Sequence, residues 1–236
     1  CSMFGLTMFD VISTIMKPVE KIMTGLPGYI VVVLIMQLLW WFGIHGPNVM
    51  SAVTTPFMTK MMATNLELYQ SGEGVTSAGV FYSAGSQYNI ISGPFGAGWF
   101  SPTGSGITMG LIIAVMLFSK RDDFKAIAKL AIPCGIFNIN EPIIFGIPMV
   151  MNAMFAVPFF LAPIACVCCG YLVQSLGLCP LFIIDVPWTT PVGLFGFLAS
   201  SGNIMGAIWQ AVIILGVSTL IYTPFVIAAN RQEAEA

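Results

Sequence analysis

The stretch of sequence that decides the fold is 133–152, PCGIFNINEPIIFGIPMVMN. Three prolines, two glycines and three asparagines interrupt this otherwise apolar run, and a single carboxylate, Glu141, lies inside it. Proline and glycine break helices, and broken backbone at membrane depth is tolerated only where protein or a watery cavity surrounds it. We therefore predict a re-entrant hairpin with Asn138, Asn140, Glu141 and Pro142 at its tip.

The composition places this hairpin in a membrane protein. Of the 236 residues, 57% are apolar and 8% are charged, the net charge is −2 and the mean hydropathy is +0.92. A typical soluble domain has about 25% charged residues. Between Glu73 and Lys120 lie 46 uncharged residues, whereas a spanning helix needs only about 20. These values exclude a disordered chain and argue against a nucleic-acid binder. We predict an all-α polytopic membrane protein with transmembrane helices and re-entrant hairpins.

Two further apolar segments, 77–106 and 180–203, are also interrupted by glycine, proline and serine. Several broken apolar segments in one chain are typical of transporters, whose binding sites form where helices break. Half of the basic residues lie in 119–129, so we expect this loop in the cytoplasm, together with the tail 230–236. The sequence has neither a Walker A motif nor an HExxH motif, which disfavours a pump or a self-contained enzyme.

Glu141 is the first candidate functional residue. A lone carboxylate at membrane depth is costly, and this makes it a functional candidate. Asn138 and Asn140 add amide donors and acceptors beside it. The alternative is a carboxylate at a hairpin tip that is simply exposed to water.

His45 and Trp188 are the other candidates. His45 is the only histidine, and it could bind a ligand or a proton near neutral pH; the alternative is an interfacial histidine bonded to backbone. Trp188 could stack on a sugar ring, or it could be a tryptophan at the membrane surface. A metal site is not predicted, because neither a second histidine nor a pair of ligating cysteines is offered.

Three motifs in order resemble one family. They are WWFGIHG (40–46), GIFNINEPIIFGIP (135–148) and VPWTTP (186–191), and a closing IYTPF (221–225) agrees with them. The chain resembles the membrane component, enzyme IIC, of the bacterial sugar phosphotransferase system, in its lactose, cellobiose and diacetylchitobiose branch.

This resemblance implies a mechanism and a set of site residues. A disaccharide binds at the hairpin tips, the site turns toward the cytoplasm, and a separate enzyme IIB phosphorylates the 6-hydroxyl of the sugar. Glu141 and His45 would lie near that hydroxyl as catalytic residues, and Trp188 would stack on the sugar. Asn138 and Asn140 would position Glu141 or contact the ligand. Asn48 would also contact the sugar, and the sequence HGPN (45–48) that ends in this residue would influence which sugar fits. The chain would supply the sugar site, without a cofactor, while enzyme IIB supplies the phosphoryl donor and enzyme IIA acts indirectly.

The resemblance also implies an organisation. We expect an amphipathic linking helix over 1–26, a substrate-binding transmembrane domain over 27–229 and a cytoplasmic tail over 230–236. The dimerisation helices of the family's N-terminal half are expected to precede this segment, so that the protein would form a homodimer in the bacterial cytoplasmic membrane. Two alternatives stay open: a proton-coupled sugar carrier without phosphorylation, and a membrane fragment that is inactive alone.

Overall fold

The structure, a computed structural model, describes residues 23–234, of which the last four are described as backbone only. Its elements, in chain order, are α1 (Leu26–Trp41), α2 (Gly46–Gln70), β1 (Val75–Thr76), β2 (Gly79–Val80), α3 (Gly93–Trp99), α4 (Met109–Phe118), α5 (Asp122–Ile136), α6 (Glu141–Gly146), α7 (Ala153–Ser175), α8 (Leu194–Ala199), α9 (Ile204–Ala211), a π-helical segment (Val212–Val217) and α10 (Ser218–Ala234). Most of the expected linking helix lies outside the described residues.

The described part of the chain is built from helices and loops, apart from the short antiparallel hairpin of β1 and β2. Within the described residues, two helices are long and apolar enough to cross a membrane, Ala153–Ser175 and Ile204–Asn230. Two shorter apolar helices are α1 and α4. Short helices that end within an apolar region match the interruptions that glycine and proline impose on the sequence.

The stretch 133–152 forms the predicted hairpin. Helix α5 continues past Pro133 to Ile136, the tip occupies 137–140, and α6 begins at Glu141. The returning arm, α6, packs closely on α5. A Cβ at Gly146 would lie only 2.4 Å from the Ile127 side chain. Only a glycine permits this approach, so the sequence that breaks the helix also closes the hairpin.

The stretch 77–106 and the helix that follows it contribute to two different hydrophobic clusters. Its helix α3 supplies Phe95 and Trp99 to one cluster, and α4, which follows the break, supplies Leu111 and Ile112 to the other. A series of turns over 101–108 joins the two helices. The break therefore lies at the boundary between the two clusters.

Small residues let helices approach one another at two places. A Cβ at Gly110 of α4 would lie 2.2 Å from Ser218 Oγ of α10, and a Cβ at Gly170 of α7 would lie 2.3 Å from the Trp99 ring. Close approach at small residues is the usual way in which membrane helices pack. These contacts bring α4 close to α10 and α3 close to α7.

Candidate functional site

Asn138 lies at the hairpin tip and binds two other segments. Its Oδ1 accepts a hydrogen bond from the backbone N–H of Thr103 at 2.6 Å. Its Nδ2 donates to the carbonyl oxygens of Trp188 and of Thr190, the latter at 3.0 Å. The side chain is 7% exposed, and its φ of +66° lies in the left-handed region that asparagine tolerates better than most residues. One amide therefore joins three broken segments.

Asn140 makes a second connection to the 101–108 turns. Its Nδ2 donates to the carbonyl oxygen of Ser105 at 2.6 Å. The same side chain packs against Gly104, where a Cβ would lie 2.3 Å from Asn140 Cγ. Gly104 also has a φ of +82°, so this position requires glycine for two independent reasons.

The 101–108 turns hold an unusual backbone. Thr103 and Ile107 have φ values of +61° and +51°, and both are buried. A positive φ is costly for a β-branched residue and persists only where surrounding contacts enforce it. The enforcing contacts come from the asparagines of the tip and from Tyr222 of α10, whose hydroxyl donates to the carbonyl oxygen of Gly106 at 2.8 Å.

Glu141 is the first residue of α6, and its side chain is exposed. The residue before it, Asn140, is fastened to Ser105, and Pro142 follows within the first turn. Proline at the start of a helix is pre-organised for the helical backbone. The carboxylate therefore projects from an anchored backbone at the tip.

Trp188 has a side chain that is 61% exposed, while its carbonyl oxygen is bound by Asn138. Asn138 is three residues before Glu141, and three residues span at most about 11 Å. The loop of Trp188 is thus held near the start of α6. An exposed ring fits both interpretations of this tryptophan, the sugar contact and the membrane-surface residue.

His45 is the N-cap of α2. Its Nδ1 accepts a hydrogen bond from the backbone N–H of Asn48 at 3.2 Å, and the imidazole centroid lies 4.8 Å from the Trp40 ring. In the neutral ring the proton then resides on Nε2, which becomes a donor. The side chains of His45 and Asn48 are exposed.

The α1 end that precedes His45 is attached to the arm that follows α6. The backbone N–H of Met151 donates to the carbonyl oxygen of Trp41 at 3.0 Å. Trp40 packs in the same cluster as Ile144 and Met149. The structure thus joins the segments of Asn138, Asn140, Glu141 and Trp188 by direct hydrogen bonds, and it joins the segment of His45 to them through this packing.

Sequence reasoning missed Thr103, Ser105, Thr190 and Tyr222, which supply most of the partners of the two asparagines and of the turns. The signals were present but not attributed to individual residues. Thr103 and Ser105 alternate with Gly104 and Gly106 inside a stretch recognised as broken, and Tyr222 belongs to the closing IYTPF motif.

These observations define a class of protein: a helical membrane protein whose broken helices meet at a polar site, as in carriers. The comparison with family models then gives the family. Residues 2–163 match the model of "Phosphotransferase system, EIIC", and the chain belongs to this family. The predicted polytopic membrane fold is confirmed by this membership and by the structural similarity below.

Three related proteins illustrate the similarity. The chain is 36% identical over 234 residues to the cellobiose-specific EIIC component of Lactococcus lactis, covering 93% of this chain and 46% of that protein. It is 34% identical over 236 residues to the oligo-beta-mannoside-specific EIIC component of Bacillus subtilis, covering 97% and 49%. It is 33% identical over 220 residues to the lactose-specific EIICB component of Staphylococcus aureus, covering 92% and 36%.

A solved structure is similar as well. The crystal structure of the transporter ChbC, the IIC component of the N,N'-diacetylchitobiose-specific phosphotransferase system, superposes with a TM-score of 0.86 at 30% identity. The superposition covers 99% of this chain and 51% of ChbC. The chain thus spans about half the length of ChbC and of the first two relatives.

Proposed function

We propose that this chain forms the sugar-binding part of a phosphotransferase-system permease. The protein would bind a disaccharide such as cellobiose, diacetylchitobiose or lactose, carry it across the bacterial cytoplasmic membrane, and present its 6-hydroxyl to enzyme IIB for phosphorylation. Family membership supports the permease function. The single observation that carries the proposal is the Asn138 amide, which fastens the hairpin of Glu141 to the loop of Trp188.

Glu141 is proposed as the group that accepts the proton of the 6-hydroxyl during transfer. A positioned carboxylate within hydrogen-bond reach can act as a general base, and phosphoryl transfer depends largely on positioning and charge neutralisation. No covalent bond to the protein is required.

His45 and Trp188 are proposed as sugar contacts. In the neutral ring, His45 offers its Nε2–H as a donor, because Nδ1 is already used by the backbone of Asn48, and a donor of this kind can orient the hydroxyl. The exposed ring of Trp188 offers an apolar face to the C–H groups of a sugar. Asn48 would line the site beside His45 and influence which sugar fits.

Asn138 and Asn140 are proposed to position the site rather than to bind the sugar. In Asn138, Oδ1 accepts one hydrogen bond from the backbone and Nδ2 donates two to backbone carbonyl oxygens. In Asn140, Nδ2 donates to the carbonyl oxygen of Ser105. Both side chains are buried. Atoms already bonded to protein gain little from a sugar hydroxyl, because one hydrogen bond would replace another.

The proposed setting follows the family. The protein would lie in the bilayer with several spans. The segment 119–129, most of which forms the start of α5, would face the cytoplasm, and a domain expected to precede this chain would form a homodimer. Enzyme IIB would be the direct phosphoryl donor, with enzyme IIA acting through it. The similarity to an EIICB component of Staphylococcus aureus supports a partner of the IIB type.

The test uses the full-length protein with Glu141→Gln, which keeps the size of the side chain and removes its charge. We would measure binding of cellobiose, diacetylchitobiose and lactose, and then phosphorylation with enzyme IIB. We expect binding within a few-fold of wild type and phosphorylation reduced by 10²-fold or more, as for loss of a general base. Glu67→Gln on α2, also exposed, is the matched control and should change neither.

Loss of binding together with phosphorylation would make Glu141 a ligand contact and would overturn its role as the base. Uptake by intact cells distinguishes the proposed permease from the alternative, a proton-coupled sugar carrier. Sugar uptake that is independent of phosphoenolpyruvate and abolished by an uncoupler would support a proton-coupled carrier and would reject the proposed function.

A further inference from the structure

A crevice of about 520 Å³ runs between helices α4 and α5. Met116 and Leu117 of α4 line it on one side, and Ile132 and Ile136 of α5 line it on the other. Pro191, from the loop that carries Trp188, also lines it. We call it the α4–α5 crevice. Its volume lies in the range of ligand pockets, about 300–1,000 Å³, and its walls are mainly aliphatic.

The α4–α5 crevice opens to the outside of the protein. Leu117 is 67% exposed and Ile136 is 42% exposed, although both line the crevice. An exposed apolar surface of this kind can contact the hydrocarbon core of a bilayer. Its walls therefore suit an acyl chain.

The outer end of the same helix face is basic. Lys125, Lys129, Ile132 and Ile136 follow one another in α5 at steps of four, three and four residues, which places them on one face of the helix. The distance along α5 from Lys125 to Ile136 is about 16 Å at 1.5 Å per residue. This matches half of the roughly 30 Å hydrocarbon core, which is the depth of one leaflet.

The charge beside this face is positive after local pairing. Arg121 and Asp123 form an ion pair at 2.5 Å. This leaves Lys120 and the two lysines of α5 against the carboxylate of Asp122, which is an excess of two positive charges in 119–129. Long lysine side chains extend to the headgroup level while their methylene groups cover apolar surface.

We propose that the α4–α5 crevice binds an anionic phospholipid, with one acyl chain against Met116 and Ile132 and the phosphate group at Lys125 and Lys129. The apolar walls would hold the chain of any phospholipid, and the lysines would select an anionic headgroup. A lysine near an anionic lipid surface contributes about a fivefold preference, so two lysines beside a lipid of net negative charge predict roughly 30-fold over a zwitterionic lipid. This site goes beyond the proposed sugar function and does not depend on it.

The test is native mass spectrometry of the delipidated full-length protein, titrated with phosphatidylglycerol or phosphatidylcholine of identical acyl chains. We expect wild type to retain phosphatidylglycerol about 30-fold better than phosphatidylcholine. Lys125→Gln together with Lys129→Gln should remove this preference while phosphatidylcholine still binds as before. Lys60→Gln on α2 is the control for charge and should keep the preference.

A second pair of variants tests the chain-binding part. Met116→Trp fills the α4–α5 crevice and should reduce binding of both lipids, while Leu130→Trp, at a position of α5 that is 77% exposed and on the opposite helix face, should reduce neither. Equal retention of the two lipids by wild type would overturn the headgroup assignment. The whole proposal would be overturned if wild type retained neither lipid, as expected if another part of the longer protein fills the crevice. Full binding of both lipids by Met116→Trp would overturn it as well.

Discussion

Replacement of Asn138 removes the hydrogen bonds that join the hairpin tip to the 101–108 turns and to the loop of Trp188. Asn138→Gly deletes the amide but keeps a residue that tolerates the φ of +66°. The N–H of Thr103, a residue only 1% exposed, then loses its acceptor, which costs about 1–3 kcal/mol. The two carbonyl oxygens lose a donor, at about 0.5–1.5 kcal/mol each. The free energy of unfolding should fall by about 2–6 kcal/mol.

Asn138→Ala separates the contribution of the side-chain amide from the cost of the left-handed backbone conformation. It loses the same three hydrogen bonds and, unlike the glycine variant, keeps a Cβ on a left-handed residue, which makes it about 1–2 kcal/mol less stable than Asn138→Gly. Thermal unfolding of the purified protein measures both variants, and for a chain of this size 1 kcal/mol corresponds to roughly 2–4 °C in Tm. We expect the Tm to decrease from wild type to Asn138→Gly and again to Asn138→Ala.

The reasoning would be refuted by a glycine variant as stable as wild type. Sugar binding gives an independent reading, because the loop of Trp188 is held by the same amide. If Asn138→Gly folds, its affinity for the sugar should be reduced, since the ring of Trp188 would no longer be fixed relative to Glu141. Unchanged affinity in a folded, destabilised variant would leave Asn138 a purely structural role.

Three further mutations and one control variant test the surroundings of the tip. Gly104→Ala combines a φ of +82° with a Cβ 2.3 Å from an asparagine side chain and should lower the Tm clearly, whereas Gly216→Ala, which meets no atom within 4 Å, should leave it unchanged or raise it. Tyr222→Phe removes the bond to the Gly106 carbonyl and should cost about 1–3 kcal/mol in chemical unfolding. Trp188→Ala should weaken sugar binding in calorimetry with little change in Tm, because the ring is 61% exposed. A loss of Tm as large as that of Gly104→Ala would contradict this expectation.

The sequence allowed the broken elements to be located, because their causes are local. The cluster of proline, glycine and asparagine in 133–152 predicts an interruption of the helix, and the structure has the hairpin tip at 137–140, although α5 continues through Pro133. The family motifs supplied the overall fold. Both kinds of information are contained in short stretches of residues.

The partners at the tip could not be predicted in this way. Asn138 binds residues that are 35, 50 and 52 positions away in the chain. Side-chain periodicity says which face is buried, but not which of several distant loops offers a carbonyl oxygen. The same limit applies to the π-helical segment Val212–Val217, since its wide turn depends on packing and has no local breaker such as proline.

The hydrogen bonds of Asn138 also restrict how a binding site of this kind can move. If the hairpin tip shifted alone by even 1 Å, one small amide would have to stretch bonds in two different directions at once. The cheapest displacement keeps Thr103, Trp188 and Glu141 in fixed mutual geometry and turns them together as one body. In the proposed permease the hinge would then lie at the ends of these segments, and the walls of the site would keep their shape while its opening changed sides.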